Sequence, residues 1–188
     1  MTRDEGLAIL REYVKNEALV RHCLAVEAAM RAYAPRYGGD VEEWGLAGLL
    51  HDFDWEIHPT AEQHPHEGAP MLRERGVSER VIQSILSHAD YLHIPRLEPM
   101  DKALAAVDEL SGLITAATLV RPTRSIFDLD VASVRKKMKD KAFARQVNRE
   151  DIVHGASDLG VDLDQHIAFV IEAMRGIAPA LGLEGQAR

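Results

Sequence analysis

The feature that most narrows the fold of this chain is the regular return of helix-start signals, each followed by apolar residues three and four positions apart. Thr2 with Glu5 forms a capping box ahead of Leu7, Ile9, Leu10 and Val14. Asn16 is placed to cap a second helix with the stripe Leu19, Cys23, Val26 and Met30, which Pro35 and the Gly38-Gly39 pair bring to an end. Asp40 with Glu43 opens a third, from Val41 to about Leu50. Pro65, suited to a first turn, predicts a fourth helix ending at Gly76. Ser78 predicts a fifth that runs through Ile82, Ile85 and Leu86 to His88. A longer one extends from about Met100 to Leu119 and stops before Pro122. Further helices are expected near Asp130, after Asn148 up to Gly160, and last from Asp162, with Leu163, Ile167, Val170, Ile171 and Met174 on one face. Residues 53–63 show no clean period, and the stretch holding Pro95 and Pro99 reads as a loop. No alternating strand of useful length occurs, so the fold class is all-α.

Charge and composition narrow the function. The net charge of −8 over 188 residues argues against a general nucleic-acid surface, which needs Lys and Arg to neutralise phosphates. A small phosphorylated substrate held by a metal remains compatible with it. The single cysteine, Cys23, permits no internal disulfide and fits a reducing cytoplasm. The start Met1-Thr2-Arg3-Asp4-Glu5 has no apolar segment after the charge, and the longest apolar run, 103–120, is interrupted by Asp108 and Glu109. The expectation is a soluble cytoplasmic protein with no membrane partner. The basic run Arg135-Lys136-Lys137-Met138-Lys139 reads first as a solvated helix face; with Arg121, Arg124 and Lys141 it would meet a phosphate only if the C-terminal helices covered a cleft.

Histidine placement carries the chemistry. His22 is embedded in an apolar helix, and His51-Asp52 follows the run Leu46-Ala47-Gly48-Leu49-Leu50 directly. His64 and His66 flank Pro65, His88 ends an apolar helix, and Asp108 is set in Ala103–Val107 with Leu110 and Leu113 beyond it. A carboxylate surrounded by apolar helix loses several kcal/mol of hydration unless charge or donors compensate, and a divalent cation does so. Mixed imidazole and carboxylate donors suit Mn, Fe, Co, Ni or Zn rather than Mg or Ca. Successive helical residues diverge by roughly 100°, so His51 and Asp52 could serve one metal only where a helix is ending. Each residue alone has a plainer reading: His22 as a core histidine, the His-Asp pair as chance, Asp108 as a helix-surface residue. His58, His93, His154 and His166 read as surface residues.

Taken together, His22, then His51-Asp52, then Asp108 resembles the H…HD…D signature of the HD-domain metal-dependent phosphohydrolases. "LAGLLHDFDWE" is similar to that family's helix leading into its HD pair. "HPHEGAPML" resembles the H-x-x-x-G-A segment of two-metal members, which points to His64 rather than His66; "ILSHAD" and "AAVDELSGLI" resemble the later helices. The resemblance covers about residues 19–117 and looks most like a small bacterial and archaeal branch of HD hydrolases. It implies a helical bundle with an HD core over about 16–120 and a helical extension over about 121–188, in one domain. It also implies that His22, His51, Asp52 and Asp108 bind one divalent transition metal, and that His64 and His88, with Asp52 bridging, bind a second. The activity implied is hydrolysis of a phosphate ester of a nucleotide or other small metabolite by metal-activated water.

One departure from the family pattern touches the mechanism. Well-studied relatives carry a Glu, Lys or His three residues after the motif's Asp, where this chain has Trp55. Asp54 and Glu56 on either side are the candidates to orient the nucleophile or protonate the leaving group, alongside Asp52. Two other readings keep the fold: a di-iron HD-type oxygenase, marked by oxygen uptake, and a non-catalytic nucleotide-binding module, marked by binding without turnover.

Overall fold

The computed structural model describes residues 1–185. Among these the only β pairing is one isolated bridge, Ser125 to Glu184, and the rest is helix, turn and coil, as the all-α expectation requires. The chain divides into two compact units, Met1–Ala105 and the part from Ala106 onward.

The first unit contains α1 (Arg3–Tyr13), α2 (Glu17–Tyr33), α3 (Val41–Leu50), α4 (Gly68–Glu74), α5 (Glu79–His88) and the start of α6 (Pro99–Leu119). The caps form as expected: Thr2 and Glu5 close a capping box, and Asn16, Asp40 and Ser78 accept backbone N–H groups at the starts of α2, α3 and α5. The seven consecutive residues Trp44–Leu50 of α3 are all buried. A helix apolar on every side belongs in the middle of a core, and α3 packs against α1, α2 and α5. Gly48 sets how closely α2 approaches. A Cβ there would lie 2.8 Å from the backbone nitrogen of Glu27 and 2.9 Å from its Cα, so only glycine lets the two helices cross at this distance. That crossing brings the helix bearing His22 to the end of the helix that delivers His51.

α4 begins at Gly68, three residues later than Pro65 had suggested, and residues 61–67 form turns. The carbonyl of His64, which a helix would use, accepts the Tyr91 hydroxyl at 2.8 Å instead.

The second unit continues α6 and adds α7 (Val131–Lys139), α8 (Arg149–Asp158), α9 (Leu163–Arg175) and the short α10 (Ala178–Leu181), which follows the helix expected to be last. α9 packs against α7, α8 and α10, burying Ile167, Val170, Ile171 and Met174. His166 is a correction to the sequence reading: it is buried, not on the surface, and its Nε2 bonds the Ala106 carbonyl at 2.9 Å. It precedes Ile167 and lies one turn before Val170, so the apolar face takes it inward. In the basic run, Lys136 and Lys139 are exposed and Lys137 lies 4.3 Å from the centre of the Phe143 ring.

Candidate metal centre

α3 ends at Leu50, and His51 and Asp52 follow in the turns that run on from it, so the two neighbours face common ground. His51 Nε2 lies 3.5 Å from Asp52 Oδ2, and His22 Nε2, from α2, lies 3.8 Å from the same oxygen. The other oxygen, Oδ1, faces His64 Nε2 at 3.2 Å and His88 Nε2 at 3.8 Å. Asp52 therefore stands between two pairs of imidazoles, one oxygen turned to each. The donors of Asp52, His64 and His88 all lie within 4.8 Å of one another. Donors held about 2.1 Å from one ion stand roughly 3.0–3.5 Å apart, so these groups need only small shifts to share one. His66 is exposed, which leaves His64 as the histidine of that segment that enters the cluster.

The outward nitrogens fix which way each ring faces. His51 Nδ1 donates to the Gly48 carbonyl at 2.8 Å, and His88 Nδ1 to the Ile85 carbonyl at 2.5 Å. His64 Nδ1 meets Asp54 Oδ1 at 2.7 Å. Carbonyls and carboxylates only accept, so all three rings carry the proton on Nδ1 and present Nε2 as a lone pair when neutral. His22 and His51 bring Nε2 atoms within 3.2 Å of each other, beside a carboxylate. Either a hydrogen bond from His22 Nε2–H to the His51 Nε2 lone pair or a cation held between them accommodates this approach, and anchoring of the second nitrogen is how metal-binding histidines are held. The donor set fits a divalent transition metal.

Electrostatics agree. Burial works to raise the pKa of Asp52, but the charge and hydrogen bonds of His51, the hydrogen bond of His64 and the charge of His22 hold it well below the usual carboxylate range. Burial works against protonating His64, yet its hydrogen bonds to Asp52 and Asp54 outweigh this and push its pKa up to about 9.

The two carboxylates nominated for acid–base work are placed quite differently. Asp54 is fully buried behind the His64 ring, on the side away from Asp52. Glu56 is exposed and accepts the backbone N–H groups of Lys15 and Asn16, the latter at 2.7 Å, which tie it to the start of α2 and lower its pKa. Trp55 packs edge-on against His64, ring centres 4.9 Å apart. Asp108 is half-buried on α6, past the point where the chain divides. Sequence reasoning missed three supports of the cluster: the carbonyls of Gly48 and Ile85, and the Tyr91 hydroxyl on the His64 backbone. It missed Arg96 as well, which donates to the Ser87 and His88 carbonyls at 2.9 Å and closes the end of α5. The carbonyl supports had a legible signal, since each lies three residues before its histidine on a helix.

Against known proteins, the HD domain family matches residues 19–119, more than half of the chain, and the chain belongs to that family. HD domains form a superfamily of metal-dependent phosphohydrolase type and bind divalent metals. Ribonuclease Y of Pseudothermotoga lettingae is 29% identical over 133 residues, which cover 69% of this chain and 26% of that protein. The chain thus spans about a quarter of that relative's length. No solved structure gives a significant match. Among the described residues, no helix is long and apolar enough to cross a membrane.

Proposed function

We propose that this protein hydrolyses phosphate esters of small molecules with the help of divalent transition metal ions. The observation that carries the proposal is Asp52, whose two oxygens face two separate pairs of inward-turned Nε2 atoms. In this reading His22, His51, Asp52 and Asp108 hold one ion, and Asp52, His64 and His88 hold a second. Asp108 enters from its place in the family's residue pattern and from its setting in apolar sequence. A bound ion supplies a Lewis acid for phosphate oxygens and lowers the pKa of water to about 7.

The chain's own residues do the positioning. Asp52 orders both groups through one carboxylate, and the carbonyls of Gly48 and Ile85 keep the rings of His51 and His88 from turning. Trp55 covers one edge of His64 with an apolar ring and shields it from water on that side. Ribonuclease Y is by name an enzyme that cuts RNA, which is phosphate-ester chemistry. The net charge of −8 favours a small substrate over a long polyanion.

The test is metal content per chain after purification without chelator or histidine tag, for the parent, His64→Ala and Asp108→Asn. Close to two ions in the parent and close to one in each variant is expected, together with phosphate release from a panel of esters by the parent. No metal in the parent, even after incubation with Mn, Co, Ni, Fe and Zn, overturns the reading. Full occupancy in Asp108→Asn removes that residue from the ligand set.

A further inference from the structure

We propose that Asp54 is the positioning residue of the second metal group: its carboxylate accepts the Nδ1–H of His64 and so holds that ring with Nε2 aimed at Asp52. The inference rests on the metal-dependent reading above and deepens it. His51 and His88 are steered by carbonyls three residues earlier, on the helices that deliver them. His64 stands in the turns before α4, where its own backbone offers no such support, and a side chain from ten residues upstream takes the place of the carbonyl.

Three features set Asp54 apart from an ordinary structural carboxylate. It is fully buried, as is His64, so the contact between them is shielded from water. Its second oxygen, Oδ2, is buried without a hydrogen-bond partner. An isolated carboxylate so placed is strongly disfavoured unless a positive charge faces it. Among the described residues, the group bonded to it is His64, charged either by its own proton or through an ion held at Nε2. Its seat is also shaped to fit. A Cβ on Gly68 would lie 2.4 Å from Oδ2 and 2.6 Å from Cγ, so the first residue of α4 must be glycine for the carboxylate to stay behind the ring. Asp54 thus acts through His64 and reaches no substrate. Where the Nδ1 atoms of His51 and His88 meet carbonyls, that of His64 meets a full negative charge, which raises the donor strength of its Nε2.

The experiment is titration of the metal-free full chain with Co²⁺ against a competing chelator, reading stoichiometry and the visible absorption of each equivalent. Variants are Asp54→Asn, which keeps the shape and removes the charge, and Gly68→Ala, which keeps the charge and displaces it. In both, the first equivalent is expected to bind as in the parent. The second should weaken about 10–100-fold and change its spectrum. An unchanged second equivalent in Asp54→Asn overturns the proposal. Equal weakening of both equivalents also overturns it, because a residue that merely supports the fold has no reason to favour one. A parent that binds one equivalent or none overturns the dinuclear reading beneath it, an outcome distinct from either of these.

Discussion

His64 in the first unit and His166 in the second are each about 1% exposed, yet they are driven in opposite directions. His64 is bonded through both nitrogens to carboxylates, and its pKa is pushed up to about 9. For His166 burial dominates and lowers the pKa, with the Ala106 carbonyl only partly opposing it. Burial alone therefore does not mark a functional histidine. What marks it is burial against a full negative charge, because that charge stabilises whatever cation arrives, a proton or a metal. At His166 the bond to the Ala106 carbonyl supplies no full negative charge, and burial sets the direction of the shift instead.

This contrast can be broken most severely at Asp52. Replacing it with Ala should leave both imidazole pairs without their shared carboxylate. Metal content is expected to fall to near zero, and phosphate-ester hydrolysis by more than the ~10–100-fold typical of an outer partner. Elemental analysis and steady-state rates check this, and retention of both metals would remove Asp52 from the centre.

A middle-sized effect concerns the metal-free protein. The folded pKa of His64, about 9, lies above the ordinary value of 6.5, so its contribution is fully present below 6.5 and is lost as pH rises through 9. Urea midpoints of metal-free protein should fall over that window by the equivalent of a few kcal/mol, and the fall should vanish in His64→Ala. A flat profile in the parent would mean that the carboxylates do not charge the ring.

The smallest effect lies on the acid side and has the opposite sense. The folded pKa of His166 is depressed, so neutral His166 belongs to the folded state, and stability is lost as pH falls below the ordinary value of 6.5. The loss should be milder than the one at His64, and His166→Gln should flatten it between about pH 7 and 5 without altering Co²⁺ binding. A change in Co²⁺ binding would erase the distinction between the two histidines.

Most helices were legible because their ends are local chemistry. Asn16, Asp40, Ser78, Asp130, Asn148 and Asp162 each bond a backbone N–H two or three residues on, a contact that sequence spacing alone can specify. The start of α4 was misplaced because the competing partner of the His64 carbonyl, Tyr91, is 27 residues away. His166 was misread for a related reason: its surroundings come from α6, not from its own segment.

By itself, the sequence determined the all-α class, most of the helix ends, and which residue types could gather round a cation. His51 and Asp52 could be paired because both follow the end of one helix, and His64 could be preferred to His66 by its place in a family motif. Which oxygen of Asp52 faces which pair of rings was decided only in three dimensions. So was the assignment of Asp54 to the back of His64 and of Glu56 to the start of α2. Neighbouring carboxylates look alike in sequence because a side chain's chemistry is set by what approaches it. At Asp54 the approach comes from His64 and Gly68, at Glu56 from Lys15 and Asn16.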